Sequence, residues 1–412
     1  MRLLIVSQYY KPEPVNVSDV CEELVRRGHS VSVLTSLPNY PDGCVPEEYR
    51  HGSHRDEVIE GVRVFRVPVI ARGKDLKGIN KLKRVANYFS FPLMSLLTRK
   101  GERESYDCVI CFQYSPILMA VPALWIARKQ HIPCLIWSFD LWPEDMLTGG
   151  MRRDGLPYRI MRTVSRLIYE SATMVAVTSP GFPKYFGEQL GLADLKTVWL
   201  PQFAEEMFED YQDRGELGSN RAETVFTFAG NIGGNQSVET IVEAASLLEG
   251  ERIRIQIAGS GSHLDSCRRL ATEKHLDNVE FLGRLPLSEM PSLYADSHAM
   301  LLTLAKPSGE SLVPIYTIPR KFQSYLAMGK PVICSAAGEV AEIVTRSGCG
   351  ITCDSEDPRA LADAMSTFAH AGMERRDVMA KAAERLYSEC YSRNRFFTEL
   401  ESILSDLVEG KY

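Results

Sequence analysis

The chain opens with an apolar run, a helical period and a second apolar run: MRLLIVSQYY, then VSDVCEELVRRGH, then SVSVLTS. Val20 and Leu24 mark one face of the middle segment, and Arg-Arg-Gly-His closes it as a helix stop. Two strands joined by one helix run parallel, and repetition of that unit builds a doubly wound sheet. The pattern does repeat. In the first half, strands are expected at Leu3–Ser7, Ser30–Thr35, Val62–Val67, Cys108–Phe112, Pro133–Ser138 and Thr173–Thr178. The second half predicts strands at Val225–Ala229, Arg254–Ala258, Val279–Leu282, Ala299–Leu302, Pro331–Cys334 and Gly350–Thr352. Helices over about Val238–Leu248, Asp265–Lys274, Glu289–Ala295, Arg320–Ala327 and Pro358–His370 separate these. A chain of 412 residues exceeds one ordinary core. The polar, weakly periodic stretch at about 201–223 marks the break. The expected fold is therefore α/β with two Rossmann-like domains, 1–203 and 204–395, and a terminal helix over 396–412. Such sheets bind ligands at the carboxyl ends of their strands, which makes the cleft between the two domains the default active site.

A net charge of −6 argues against general nucleic-acid binding. Cys108 and Cys111 form a CxxC inside an apolar run, but residues three apart on a strand point to opposite faces and cannot share a metal. The ten cysteines read as reduced structural thiols, and the eight histidines show no metal-ligand spacing. The first apolar run is too short for a signal peptide, and none approaches the ~18 residues of a membrane span. The body is expected in the cytoplasm.

Four segments of the second half carry chemistry. In VFTFAGNIGGNQSVETIVEAASLL a strand runs into Gly230-Asn231-Ile232-Gly233-Gly234-Asn235 and a helix follows. Glycines let backbone amides approach an anion, and the helix start adds partial positive charge. In RIQIAGSGSHLD, Gly259 and Gly261 follow the next strand and suggest a second such loop. In NVEFLGRLPLSEM, the turn at Gly283-Arg284-Leu285-Pro286 offers backbone groups to a nucleobase edge and Arg284 to stack on it. In KPSGESLVPIYTIPRKFQSYLAMGKPVICS, Pro319 precedes a helix whose start carries Arg320 and Lys321. Two cations at the positive end of a helix call for an anion, and a diphosphate fits.

In the first half, Tyr10, Glu13 and Asn16 follow the first strand, and SFDLWPED puts Asp140, Trp142 and Glu144 past another strand's carboxyl end. Polar groups around an exposed Trp suit a sugar ring. Asp140 can polarise an acceptor hydroxyl or bond the donor sugar. Between Arg72 and Arg84 lie six cations and one acid, followed by an apolar stretch to Leu97. Such a segment suits an anionic bilayer surface.

These motifs together resemble the family-4 retaining glycosyltransferases of the GT-B fold, over essentially the whole length. The pattern is closest to bacterial O-antigen and capsule enzymes such as N-acetylfucosaminyl transferases. The resemblance implies phosphate contacts at Gly233 and Gly234, base reading at Arg284 and Leu285, and a diphosphate ligand at Lys321. It leaves Pro314 and Glu310 near the donor. Two departures stand out. The family's cations after the first glycine loop are Asn231 and Gln236 here, and its Glu-x7-Glu signature falls on Tyr316 and Ser324. Ser324 can still bond a ribose, and Glu310 or Glu339 can replace a carboxylate. The implied reaction moves a sugar, an N-acetylated hexosamine or deoxyhexosamine, from a UDP-sugar to a lipid-linked or polysaccharide-precursor hydroxyl. It is retaining and requires no metal or other cofactor. The implied location is the inner face of the cytoplasmic membrane, held peripherally. A UDP-sugar 2-epimerase, a catalytically silent nucleotide-sugar binder and a transferase for soluble natural products remain alternatives.

Overall fold

The computed structural model describes residues 1–73, 79–211, 223–307 and 311–411. The chain divides into two units. The first comprises Met1–Thr178, Phe182–Leu200 and Glu399–Tyr412, and the second Ser179–Gly181 and Pro201–Thr398.

The first unit holds an eight-stranded sheet: β1 (Arg2–Val6), β2 (Ser30–Ser36), β3 (Asp56–Ile59), β4 (Val62–Val67), β5 (Cys108–Gln113), β6 (Cys134–Ser138), β7 (Met174–Val177) and β8 (Thr197–Trp199). Their order is β3-β4-β2-β1-β5-β6-β7-β8, parallel throughout except where β3 runs antiparallel to β4. Central β1 is inaccessible from Leu3 to Val6, as expected of a parallel strand covered on both faces. The two strands that periodicity did not predict, β3 and β8, are the edges. They hold four and three residues, and none of these is fully buried.

The second unit is wholly parallel: β9 (Thr224–Asn231), β10 (Ile253–Ser260), β11 (Val279–Gly283), β12 (Ala299–Thr303), β13 (Val332–Ser335) and β14 (Gly350–Cys353), in the order β11-β10-β9-β12-β13-β14. Phe226, Phe228, Ile255, Ile257 and Leu301 fill its core with the helices Val238–Ser246 and Pro358–Ala369. In this order the connections reverse direction between β9 and β12, and the crevice at their carboxyl ends is where such a sheet takes a ligand. In the first unit the reversal falls between β1 and β5.

β9 and β10 run beyond their expected ends, because Gly230 and Gly259 pair in register, followed by Asn231 and Ser260. Gly259 has φ +151°, and a Cβ there would stand 1.8 Å from the Gly230 carbonyl oxygen. A Cβ on Gly261 would meet the Ile232 oxygen at 2.2 Å. These two glycines answer to the close approach of one backbone to another.

The terminal helix Arg393–Glu409 belongs to the first unit from Glu399 onward. There Glu401 accepts from Arg27 at 3.1 Å and bonds His29 at 2.9 Å. Among the described residues no helix is long and apolar enough to cross a membrane. The cysteines are free, and Cys108 and Cys111 are both buried within β5.

Candidate active site

In the second unit the site grows from the carboxyl end of β9. Beyond Asn231 the chain makes a short turn at Gly234–Gln236 and enters the helix Val238–Ser246. Thr303, at the end of β12, donates to the Gln236 carbonyl, and Ala305 N–H donates to the Asn235 carbonyl at 3.0 Å. The glycine loop is thus fastened at the topological reversal. Asn231 Nδ2 donates to Gln236 Oε1 at 3.3 Å, so the two residues standing where the resemblance expects cations bond one another.

Lys321 opens the helix Lys321–Ala327 and crosses beneath this loop. Its Nζ lies 3.8 Å from the centre of the Phe228 ring. A Cβ on Gly230, at φ +141°, would come within 2.9 Å of that nitrogen. The amine is buried with no hydrogen-bond partner among the described residues. Burial lowers its pKa to about 7, because the charged form loses water that the aromatic face only partly replaces. A buried amine with no hydrogen-bond partner beside a glycine loop is chemically able to take an anion.

Tyr325, one turn along, holds this helix to the sheet. β12 pairs with β9 only at Phe226 and Thr227, and Tyr325 Oη then accepts from the Ala229 N–H at 3.2 Å. The same hydroxyl also donates to the Ala229 carbonyl at 3.3 Å, and we expect Tyr325→Phe to cost about 1–3 kcal/mol through the loss of these buried bonds. A denaturant midpoint shift without a change in slope is the measurement.

The other donor-side candidates are less uniform. Arg320 Nη2 pairs with Glu205 Oε1 at 2.9 Å, and Ser324 Oγ donates to Glu205 Oε2 at 3.4 Å. Arg320 already has its counter-charge, and Ser324 points at a carboxylate. This corrects the picture of both as free to meet a ligand. Glu205 itself was missed, because it lies in the polar stretch read as a linker. Arg284 is exposed after β11, with Leu285 half-buried beside it. Gly233 is buried, and Gly234 and Asn235 are exposed. Pro314 is buried in the short helix Val313–Tyr316. Glu339 begins the helix Glu339–Ser347 and packs against Gly181. Glu310 lies outside the described residues.

In the first unit the acceptor-side candidates cluster at the carboxyl edge, largely as buried framework. Glu13 accepts from the backbone amides of Tyr10 at 3.1 Å and of Asn39 and Tyr40, both at 2.8 Å. Burial pushes it up to about 7 despite those three bonds. Its oxygens are committed to joining the loops after β1 and β2. Tyr10 is inaccessible, and Asn16 accepts from Tyr114 Oη. Trp142 is buried rather than presented to a sugar, and its Nε1 donates to Ser115 Oγ at 2.9 Å. Glu144 is fully buried and accepts from Arg153, Tyr158 and Tyr185. Those arrangements correct Tyr10, Glu13, Trp142 and Glu144 as surface contacts.

Asp140 keeps partial exposure and gains a partner that was not expected. Ser115 Oγ donates to Asp145, and burial together with the Asp145 charge raises Asp140 to about 7. Burial raises the Asp145 carboxyl as well. The two can accept or return a proton at the edge of the sheet.

The helix Ile79–Thr98 borders the same loops. Asn87 Oδ1 accepts from Gln8 Nε2 at 2.8 Å, and Asn87 Nδ2 donates to the Ile70 carbonyl at 2.7 Å. Its buried face carries Asn87, Ser90, Phe91 and Ser95. Its outer face is apolar: Leu82 is 71% exposed, Phe89 54%, Leu93 56% and Leu97 67%, with Val85 among them. Phe91, within the apolar stretch expected to suit a bilayer surface, is interior. Lys74 and Lys77 lie outside the described residues.

Residues 15–201 match the glycosyl transferase 4-like domain family, and residues 210–386 match glycosyl transferases group 1. A Pseudomonas aeruginosa protein named as the glycosyltransferase WbjE is 25% identical over 299 residues, covering 70% of this chain and 73% of that one. An Escherichia coli (strain K12) protein named as the colanic acid biosynthesis glycosyl transferase WcaI is 23% identical over 383 residues, covering 88% and 90%. Among solved structures, Anabaena Alr3699/HepE in complex with UDP superposes with a TM-score of 0.68 at 16% identity, covering 98% of this chain and all of that one. The fold is GT-B, and the chain is a glycosyltransferase whose first half matches the 4-like domain model and whose second half matches the group 1 model.

Proposed function

We propose that the enzyme transfers a sugar, of the N-acetylated hexosamine or deoxyhexosamine class, from a UDP-sugar to a hydroxyl on a lipid-linked or polysaccharide-precursor acceptor. The observation that carries the donor half is the unpartnered buried amine of Lys321 under the glycine loop. As the bond to the sugar breaks, negative charge gathers on the departing diphosphate. A cation fixed in a water-poor site stabilises that charge without reorganising. HepE, a structural neighbour, holds UDP, which favours uridine as the base, with Arg284 and Leu285 placed to read it. Retention at the anomeric carbon rests on the family resemblance.

On the acceptor side, the Asp140–Asp145 pair is the group suited to polarise the hydroxyl. The name of WcaI, a colanic acid biosynthesis enzyme, favours a surface-glycan precursor. The apolar outer face of the helix Ile79–Thr98 and its neighbouring cations favour a lipid-linked acceptor, with the enzyme held peripherally on the inner face of the cytoplasmic membrane.

A thermal-shift panel of nucleotide-sugars identifies the donor without an acceptor, because ligand binding raises the melting temperature. A UDP-sugar is expected to give the largest rise, and a larger rise from another base would overturn the choice of uridine. Transfer is then assayed with membrane extract. We expect turnover to survive EDTA, since the Lys321 amine at the glycine loop can supply the positive charge the departing diphosphate needs. Loss of activity on chelation, restored by Mg²⁺ or Mn²⁺, would contradict a metal-free mechanism.

A further inference from the structure

Lys321 meets the glycine loop at Gly230, the end nearest the sheet. The other end also has an ionisable group above it. β9 and β10 pair side by side as far as Asn231 and Ser260. The loop after β10 then turns back across the loop after β9, and His263 N–H donates to the Ile232 carbonyl at 3.0 Å. This bond fixes the His263 backbone against the glycine loop, immediately before the helix Leu264–Glu273.

The imidazole is oriented from behind. Its Nδ1 lies 2.7 Å from Glu239 Oε1, in the first turn of the helix that follows the glycine loop. Ser266 Oγ donates to the same oxygen at 3.1 Å, so the carboxylate is itself held. A carboxylate at Nδ1 keeps a proton on that nitrogen and turns Nε2 outward. The outward edge stands over Gly234: a Cβ built there would lie 3.7 Å from both Cε1 and Nε2. A side chain at position 234 would therefore crowd the space in front of Nε2. Among the described residues Nε2 has no hydrogen-bond partner, and the ring is 43% exposed.

Two nitrogens thus bracket one loop. Lys321 Nζ is buried and unpartnered below Gly230, and His263 Nε2 is open to solvent above Gly234. Asn231 and Gln236, between them, are neutral and bonded to each other. An anion on this loop that Lys321 neutralises at one end would still carry charge towards Gly234. A diphosphate carries charge on both of its phosphoryl groups, one for each end. With phosphate oxygens on Nε2 and Glu239 on Nδ1, the imidazolium form satisfies both partners.

We infer that His263, oriented by Glu239, is a second diphosphate-binding residue of the donor site, contacting the nucleotide at the Gly234 end of the loop. The inference rests on the donor reading given above, and the experiment separates the two. Calorimetric affinities are measured for UDP and for uridine, with wild type, His263→Ala, His263→Gln, Glu239→Gln and Lys321→Ala. His263→Ala is expected to weaken UDP about tenfold and leave uridine unchanged, the size of one charge-assisted hydrogen bond. His263→Gln, whose amide can donate from the Nε2 position, should recover part of the loss, and Glu239→Gln should fall between wild type and His263→Ala. Equal weakening of UDP and uridine by His263→Ala would mean a fold defect and overturn the assignment. Unchanged UDP affinity in His263→Ala, with loss in Lys321→Ala, would overturn the role of His263 alone. Unchanged UDP affinity in both would remove the diphosphate from this loop and overturn the donor reading with it.

Discussion

Lys321→Ala should lower turnover about a hundredfold or more, the usual consequence of removing one group that stabilises charge in the transition state. The substitution leaves space under Gly230 that water can enter and gives up the contact of the amine with the Phe228 ring. Folding should survive it, and the loss should appear in kcat as well as in donor affinity. The same residue makes donor binding pH-dependent. In the free enzyme burial has lowered the amine to about 7, so at pH 8 most molecules hold it neutral. A bound diphosphate favours the ammonium form, and binding must then take up a proton. Affinity should be flat below about pH 7 and fall by up to tenfold per unit above it. Calorimetry in two buffers of different ionisation enthalpy reads the proton directly. The linkage also reaches stability. A lysine whose folded pKa is depressed disfavours the native state while it is forced to be charged. The unliganded protein should therefore gain stability as pH rises through 7. Turnover within a few-fold of wild type in Lys321→Ala would remove this residue from the site.

The second large effect concerns lipid. Vesicles with anionic headgroups are expected to sediment the enzyme, and neutral vesicles to do so far less. Each basic group near such a surface contributes roughly 1 kcal/mol. Gln at Lys74, Lys77, Lys81, Lys83 and Arg84 should weaken attachment by up to about four thousandfold. The attraction should also fade with salt, being screened over about 10 Å at 0.1 M. Ser at Leu82, Phe89, Leu93 and Leu97 is a separate test, because it removes exposed apolar surface while leaving the charge intact. These side chains make an apolar face towards solvent while Asn87, Ser90 and Ser95 point inward, the reverse of an ordinary surface helix. Equal sedimentation of wild type and both variants on both lipids would move the acceptor towards soluble sugars.

The two sheets were legible because parallel central strands are covered on both faces and read as unbroken apolar runs. β3 and β8 escaped because edge strands bury little and leave no such run. The glycine loop and Lys321 were legible for a similar reason, since each depends on a local pattern at a strand end or helix start. What could not be read was which side chain already had a partner. Glu144 lies in a segment that looks like an exposed loop, yet its oxygens meet Arg153, Tyr158 and Tyr185, the last 41 positions away. Ser115 bonds Asp145 from 30 positions away, and the Asp145 charge adds to burial in raising Asp140. Glu205 neutralises Arg320 across more than a hundred residues of chain. Residue type sets what a polar group can bond, and only the fold decides whether that capacity is already used.

The outward apolar face of the helix Ile79–Thr98 bears on how this enzyme would respond to selection in the laboratory. A screen that rewards yield or resistance to aggregation favours polar substitutions at Leu82, Phe89, Leu93 and Leu97, since each lies outside the core and its removal costs little packing. Variants improved in that way would express better, melt no lower and bind nucleotide as tightly as before. Assayed with a soluble acceptor analogue they would pass as gains; under the membrane attachment proposed above, a lipid-borne acceptor would reveal the loss.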